Sequence, residues 1–230
     1  MSLELVVARY NEDLAWLRNI APQIRVSVYD KNADSPHPGA IRLPNIGREA
    51  HTYLHHIVAR YDSLAPLTVF CQGKPFDHAF DFRKTLRELA QNPDVENFCW
   101  LGHIIDTDDA RGLRLFVPWS KNPERSELDI AGFHRALFGV EGPPEYVFRL
   151  GAQFAATPQL IRSRPCSFYQ HALQVAIDFP HAAHCFERSW GRVFGVCGID
   201  RDWLGARKTV YLKPIRRLEI EDAQTKSTPE

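Results

Sequence analysis

The sequence predicts an α/β fold in a single domain, with a mostly parallel sheet flanked by helices. Over residues 3–71, apolar runs of strand length alternate with segments that have helical spacing, and this alternation is typical of parallel sheets. The 230 residues are 44% hydrophobic and 24% charged, which are ordinary values for a globular protein. Polar residues also follow each of the first strands directly, at the edge where open α/β sheets bind their ligands.

Three apolar runs rich in β-forming residues are predicted as strands: 3–8, 25–29 and 67–71. A first helix is predicted around Trp16. A second helix is predicted over residues 50–62, where Leu54 and Ile57 share one face. Pro66 blocks its continuation. Because helices connect the three strands, we expect them to be parallel neighbours whose carboxyl ends meet at one edge of the sheet.

The same patterns predict the rest of the chain. Helices are expected over residues 81–91, 130–138, 168–177 and 183–194, and strands over 98–105, 113–117 and 146–154. Residues 106–112 are predicted as a hairpin loop between two of these strands, and residues 118–145 as an irregular insertion. We expect residues 208–220 to form a last strand or an extended arm. The domain is thus predicted to cover residues 1–220, followed by a disordered tail over 221–230.

Composition and charge argue against several classes of protein. Lys+Arg and Asp+Glu both number 28, giving a formal net charge of +0, so no nucleic-acid partner is expected. No apolar run approaches the roughly 18 residues of a transmembrane helix, so no membrane span is expected. The five cysteines are widely spaced and include no C-x-x-C pair, which favours reduced thiols and a cytoplasmic protein.

Polar residues at three strand ends and at one helix start are the candidate ligand-binding groups. They are Arg9, Asn11 and Glu12 after the first strand, Asp30 after the second, Gln72 and Gly73 after the third, and Arg48 and Glu49 at the helix start. A helix N-terminus attracts phosphate through its free N–H groups and dipole, and Arg48 would add a bidentate donor. The alternative is that polar residues follow strands simply because loops are polar.

Three side chains are candidate catalytic groups. Asp77 and His78 are adjacent, and they would act either as a carboxylate–imidazole base for an acceptor hydroxyl or as a structural turn network. Glu187 lies beside the aromatic face predicted for its helix, and partly apolar surroundings suit a general base. Its alternative role is an ion pair with Arg188 or Arg192 on a solvated face.

Two groups of residues have the spacing of metal ligands. Asp106 and Asp108 form an Asp-x-Asp after an apolar run, and carboxylate oxygens suit Mn²⁺ or Mg²⁺ bridging a diphosphate. Acidic residues before Ala-Arg-Gly are also typical of a hairpin turn, and this is the interpretation that we favour. His51 and His55 have a spacing that zinc ligands use, although helix histidines commonly make structural hydrogen bonds.

Several long motifs resemble the bacterial and fungal family DUF3431: VVARYNEDLAWL, LPNIGREAHTYLHHIVARYDSL, TVFCQGKPFDH, GAQFAATPQLIRSRPCSFY and FERSWGRVFG. This family implies no settled activity. More distantly, the chain is similar to nucleotide-sugar glycosyltransferases of the GT-A type. That resemblance implies a GT-A-like, Rossmann-like fold, a nucleotide site at Asn11–Glu12, Asp30 and Gln72–Gly73, and a catalytic carboxylate at Glu187. The chain departs from these enzymes where its third strand ends in Gln-Gly-Lys and not in Asp-x-Asp.

We therefore expect a glycosyltransferase-like protein that binds a nucleotide-sugar donor and transfers the sugar to an unidentified acceptor. The competing expectation is a binding protein of the same fold that is non-catalytic or independent of metal, and the missing Asp-x-Asp at residues 72–74 favours it. A metal-dependent hydrolase that uses the histidine-rich helix is a third alternative. A transferase needs Arg48, Gln72, Asp77 and Glu187 in one cleft, because donor, acceptor and base must meet within hydrogen-bond reach.

Overall fold

A six-stranded sheet is the centre of the computed structural model, which describes residues 3–91, 97–116, 127–196 and 204–212. The strands are β1 (Leu3–Arg9), β2 (Arg25–Asp30), β3 (Ile41–Arg42), β4 (Leu67–Gln72), β5 (Phe98–Trp100), β6 (Ile104–Asp109), β7 (Glu145–Arg149), β8 (Phe154–Ala156) and β9 (Thr209–Tyr211). The α-helices are α1 (Arg48–Arg60), α2 (Phe82–Gln91), α3 (Ile130–Phe138), α4 (Pro158–Ile161), α5 (Cys166–Asp178) and α6 (Ala182–Val193). Short 3-10 helices cover Ala15–Asn19, Pro75–Asp77 and Leu113–Phe116.

The large sheet has the strand order β3-β2-β1-β4-β8-β5. β1 pairs in parallel with β2 and β4, and β2 pairs in parallel with β3, whereas β8 runs antiparallel between β4 and β5. In this register, Arg9 lies opposite Asp30 and Ala8 lies opposite Gln72. The predicted α/β fold with a mostly parallel sheet is therefore confirmed. The first three predicted strands are parallel neighbours, and their carboxyl ends lie together.

Both faces of this sheet are buried, because successive side chains of each strand point to opposite faces. On one face, Val6 belongs to a core with Tyr53 of α1 and Trp190 of α6. On the other face, Leu5 belongs to a core with Trp16 and with Phe82 of α2. The apolar faces predicted for α1 and α6 from residue spacing both lie in the first of these cores.

A second, antiparallel sheet with the order β7-β6-β9 corrects the interpretation of residues 98–117. The single strand predicted over residues 98–105 is two strands, β5 and β6. The hairpin turn favoured for Asp106 and Asp108 is wrong, because both residues lie within β6. The strand predicted over 113–117 is also wrong, since Leu113–Phe116 form a 3-10 helix. Acidic residues are stable in β6 because arginine side chains pair with them, as described below.

The strand predicted over residues 146–154 is divided between the two sheets. β7 ends at Arg149 and β8 begins at Phe154, and Gly151 lies between them with φ +90°. Residues other than glycine rarely adopt this φ, and a Cβ at this position would lie 2.7 Å from the Cβ of His78. Gly151, expected to allow a bulge or a close approach, therefore turns the chain from one sheet into the other.

Other predictions have mixed outcomes. α3 matches the helical segment expected within residues 118–145, and the helix expected around Trp16 is a short 3-10 helix. Within the described ranges, no helix has the length and apolar character to cross a membrane. Cys71, Cys166 and Cys185 are free thiols. Cys197 and the tail over 221–230 lie outside the described residues, so the domain boundaries and the cytoplasmic location stay predictions.

Phe154→Ala is predicted to lower the free energy of unfolding by about 3–5 kcal/mol, the usual effect of deleting a buried aromatic ring. The ring centroid of Phe154 lies 5.8 Å from that of Tyr53 and 5.2 Å from those of Phe70 and Trp190. Val140→Ala is the control, because Val140 is 59% exposed and such changes stay within about 0.5 kcal/mol. Chemical denaturation measures both variants, and equal effects would contradict the central position of β8.

Candidate functional site

The carboxyl ends of β1, β2 and β4 meet at one edge of the large sheet, beside a cavity of about 350 Å³. Backbone bonds hold these ends together: Gly73 N donates to Ala8 O (2.8 Å) and Lys31 N donates to Arg9 O (3.0 Å). The cavity is lined by Ala8, Arg9, Tyr10, Glu12, Lys31, Asn45, Arg48, Glu49 and Gln72. Five predicted binding residues are among them: Arg9, Glu12, Arg48, Glu49 and Gln72.

Asp30 lies behind the cavity and orients Arg9. Its Oδ2 accepts a 2.8 Å bond from Nη1 of Arg9 and a 2.6 Å bond from His37 N, while its Oδ1 accepts a 2.9 Å bond from Asn32 N. Burial acts to raise the pKa of Asp30, but these N–H groups and the guanidinium lower it overall. Asp30 therefore holds Arg9 at the strand ends and does not itself line this cavity.

α1 begins at the cavity with two consecutive residues in the left-handed region, Gly47 at φ +56° and Arg48 at φ +46°. Only glycine fits the first position, because a Cβ there would lie 2.6 Å from the carbonyl oxygen of Ala176. Gly47 is the N-cap residue and has no side chain to cap the helix. The N–H groups of the first turn and the positive end of the helix dipole therefore lie beside the cavity.

Lys31 packs against this helix start and is only 5% exposed. Its Nζ donates to the carbonyl oxygens of Ile46 and Arg48, and it lies 3.4 Å from Nδ1 of His51. Burial lowers the pKa of Lys31 to about 8, and the charge of Glu49 opposes that shift. Lys31 therefore holds the segment before α1 in place and brings a positive charge to the cavity.

A contact between Arg48 and His184 joins α1 to α6 at the same edge. Nη1 of Arg48 lies 3.1 Å from Nε2 of His184. Burial, together with Arg48 and Arg188, lowers the pKa of His184 to about 3. At neutral pH the imidazole is therefore uncharged, and its Nε2 can accept a hydrogen bond from the guanidinium of Arg48.

Glu187 of α6 is held in place by two donors. Its Oε1 accepts a 2.6 Å bond from Gly151 N, and its Oε2 accepts a 3.3 Å bond from Nη1 of Arg188. His78 fills the space where Gly151 would carry a side chain, so the predicted catalytic residues Glu187 and His78 lie on either side of this glycine. The ion pair of Glu187 with Arg188 that was considered from sequence is present, but Arg188 is buried and not on a solvated face.

Strained backbone is concentrated around these residues. Among the residues that the structure describes, the non-glycine residues with positive φ are Arg48, Asp129, Ala152 and His181. Arg48 begins α1, Ala152 follows Gly151, and His181 is the N-cap residue of α6. Such conformations each cost on the order of 1–3 kcal/mol and cluster at functional sites. Three of the four lie at the elements that surround this candidate site.

The predicted metal ligands Asp106 and Asp108 are buried in β6 and paired with arginines. Oδ1 of Asp106 lies 2.9 Å from Nη1 of Arg114 and accepts a 2.8 Å bond from Oγ1 of Thr209. Oδ2 of Asp108 accepts a 2.9 Å bond from Nε of Arg188. No three or more His, Cys, Asp or Glu side chains gather in the described part of the chain in a way that could hold a metal ion.

The histidines of α1 pack as uncharged rings. The rings of His51 and His55 are stacked with centroids 6.2 Å apart, and Nδ1 of His56 lies 2.9 Å from the hydroxyl of Tyr29. Burial is the main reason that the pKa values of His51 and His56 both fall to about 4. These contacts are the structural hydrogen bonds and packing that helix histidines commonly make.

Three other predicted residues lie outside the cavity lining. Asn11 is exposed. Gly73 packs against Glu12, whose Oε2 would lie 2.8 Å from an added Cβ. Asp77 is 54% exposed and pairs with Lys74 at 3.2 Å. Of the four residues expected to converge, Arg48 and Gln72 line this cavity, whereas Asp77 and Glu187 do not.

Lys31 and Arg188 are charged residues of this region that were not among the predicted site residues. The available signal for Lys31 is its place directly after a strand that ends in an acidic residue. Arg188 is adjacent to Glu187, but its burial depends on Asp108, which is 80 residues earlier. Neither residue carries a local pattern that distinguishes it from an exposed cation.

Comparisons with known proteins identify a family but no function. The family model described as "Protein of unknown function (DUF3431)" matches residues 5–201. No curated protein matches the chain. Among solved structures, CMP:2-keto-3-deoxy-manno-octonic acid synthetase complexed with CTP is similar at 12% identity and a TM-score of 0.39, over 97% of this chain and 99% of that one. A likeness at this level supports no inference about function.

Arg188→Met is predicted to lower the free energy of unfolding by about 3–5 kcal/mol, because it leaves the carboxylate of Asp108 buried without its partner. Arg135→Met is the matched control, since that guanidinium is 51% exposed where it pairs with Glu141 and exposed pairs contribute little. Denaturant titration compares the two variants. A small effect at Arg188 would contradict the account of this pair.

Proposed function

Since this chain belongs to the DUF3431 family, whose function is unknown, we propose from its own geometry that it binds a nucleotide-sugar and transfers the sugar to an acceptor. The observation that supports this most directly is the cationic end of the cavity. There Lys31 and Arg48 lie beside the N-terminus of α1. Phosphate groups bind at such helix ends through main-chain N–H groups and the helix dipole.

The site offers contacts for each part of such a donor. The diphosphate would lie against Lys31 and Arg48, because hydrogen bonds between charged groups are stronger than those between neutral groups. Glu12 and Gln72 line the same cavity and supply polar groups for sugar hydroxyls. A second cavity of about 650 Å³ also borders Arg9 and Glu12 and includes apolar side chains of β2, which suit a nucleoside base.

Glu187 is the general base of this proposal. The N–H group of Gly151 and the guanidinium of Arg188 fix its carboxylate in one position. His78 lies across Gly151 and is the second polar group on the acceptor side. Removal of a proton by a positioned base contributes typically about 10²–10⁴-fold to a rate.

Mn²⁺ or Mg²⁺ has no role in the steps proposed. The residues predicted to bind it, Asp106 and Asp108, do not fit a divalent cation as they are arranged, because arginines already pair with both carboxylates. The positive charge that a leaving diphosphate requires would come from Lys31 and Arg48.

A non-catalytic binding protein is the second candidate, and one observation favours it. β4 is followed by Gly73 and Lys74 where the resemblance to transferases implies acidic residues. The same cavity would then hold a phosphorylated ligand without turnover. Ligand binding in the absence of any sugar transfer distinguishes this candidate from the first.

A thermal-shift panel of nucleotide-sugars tests donor binding, since a ligand at 100 times its Kd adds about 2.7 kcal/mol of stability. Arg48→Gln is predicted to weaken binding by about 10- to 100-fold, because a hydrogen bond between charged groups contributes about 1.5–3 kcal/mol. Arg60→Gln, at the opposite end of α1, is the matched control and should leave the affinity unchanged.

Two results would contradict this proposal. The first is the absence of any shift with every nucleotide-sugar tested, both with and without Mn²⁺. The second is an equal loss of affinity in Arg48→Gln and Arg60→Gln, which would place the phosphates elsewhere. Binding without release of nucleoside diphosphate in the presence of a panel of hydroxyl acceptors would favour the non-catalytic candidate.

A further inference from the structure

Two glutamates, one on α1 and one on α6, lie where these helices pack together. Glu49 directly follows Arg48, and Glu187 lies three residues after His184, which is about one helical turn. Since Arg48 contacts His184 at 3.1 Å, the two glutamates extend from facing turns. Glu49 lines the cavity at the strand ends.

A second contact between α1 and α6 lies about one helical turn beyond Glu49 and Glu187. Tyr53 lies one turn after Glu49, and Trp190 lies one turn after Glu187, so each ring is on the same helical face as its glutamate. The ring centroids of Tyr53 and Trp190 are 5.9 Å apart.

The two carboxyl groups have different surroundings. Glu187 accepts hydrogen bonds from the N–H group of Gly151 and from the guanidinium of Arg188, as described above. Glu49 has a longer contact, 3.8 Å, with Arg48. Burial is the largest influence on Glu49 and raises its pKa. Arg48, the N–H group of Glu49 itself and Lys31 lower the pKa, and the charge of Glu187 raises it, so that the pKa is raised overall. Glu49 therefore retains a proton more readily than an ordinary glutamate does.

Two buried donors beside the pair have no hydrogen-bond partner within the described ranges, the Tyr53 hydroxyl and Nε1 of Trp190. Both side chains are fully buried. Buried polar groups in proteins are nearly always hydrogen-bonded, and an unmade bond costs about 1–3 kcal/mol. Both groups are therefore free to donate a hydrogen bond at the contact between α1 and α6.

We propose that Glu49 is a second catalytic residue and forms an acid–base pair with Glu187. This inference rests on the proposed sugar transfer and deepens it. Glu187 takes the proton of the acceptor hydroxyl as the acceptor oxygen bonds to the sugar carbon. The bond from that carbon to the phosphate oxygen breaks, and its electron pair leaves with the diphosphate. Protonated Glu49 transfers its proton to this departing oxygen and becomes a carboxylate, next to the charges of Lys31 and Arg48.

Carboxyl titration by ¹³C NMR on the full chain tests the pair without a ligand. Glu49→Gln and Glu187→Gln assign the two resonances, and Glu88 is the internal control because it is 61% exposed. We expect Glu49 to titrate at higher pH than Glu88, and its midpoint to fall in Glu187→Gln. A midpoint for Glu49 equal to that of Glu88, or unchanged in Glu187→Gln, would overturn the proposal.

The pH dependence of the free energy of unfolding gives a second measurement of the raised pKa of Glu49. Between the ordinary pKa of 4.5 and its raised value, Glu49 holds a proton in the folded chain that it has released in the unfolded chain. The wild-type chain therefore loses stability as the pH rises through this window. Glu49→Gln should remove that loss and Glu88→Gln should retain it, and the opposite pattern would overturn the inference.

A transfer assay with a donor from the panel separates this inference from the proposed function. Glu49→Gln and Glu187→Gln should each lose about 10²–10⁴-fold in rate with donor affinity retained, whereas Glu88→Gln should be unaffected. Full activity in Glu49→Gln would overturn the role of Glu49 and leave sugar transfer intact. If the titration of Glu49 depends on Glu187 but the chain binds no nucleotide-sugar, the proposed donor is wrong and the interaction between the two glutamates is supported.

Discussion

A buried ion pair between Arg188 and Asp108 is the interaction on which the candidate site depends. The guanidinium donates to Asp108 at 2.9 Å, to Glu187 at 3.3 Å and to the carbonyl oxygen of His184 at 2.9 Å. It also lies 4.5 Å from the ring centroid of Phe148 in β7. Burying two charges is costly unless geometry and further hydrogen bonds compensate. Here the contacts of Arg188 compensate for this cost. They connect the small sheet to α6 and so position Glu187 beside the carboxyl ends of the large sheet.

Local patterns were sufficient to predict the parallel half of the fold. Each of the elements β1, β2, α1 and β4 is a single uninterrupted segment. The spacing or clustering of apolar residues within each segment is therefore enough to predict its type and its buried face. The small sheet was not predicted, because β6 contains Asp106 and Asp108 and resembles a turn. Its stability as a strand comes from long-range partners: Arg188 lies 80 residues later. Gly151 divides an apparently single strand for a similar reason, since only the three-dimensional packing on His78 shows the turn.

The site was predicted in the same uneven way. Arg9, Arg48 and Gln72 were identified because strand ends and helix starts are recognisable in sequence and converge in parallel sheets. Lys31 was missed, since its role depends on burial against a segment that starts about 15 residues later. Burial also places the ammonium group of Lys31 at the wall of the cavity. A cation beside a helix N-terminus would attract phosphate both in a transferase and in a binding protein. The fold therefore supports the binding step more strongly than the chemical step.

Binding of the donor phosphates at the start of α1 is the central claim, and amide mapping by NMR tests it most directly. A nucleoside diphosphate would be titrated into ¹⁵N-labelled protein while the backbone amide resonances are followed. The account predicts that the largest shifts occur at the amides of residues 48–50 and at Lys31, and that Arg48→Gln reduces them. Shifts confined to another surface, such as α5, or no shifts at concentrations that saturate ordinary nucleotide sites, would contradict it.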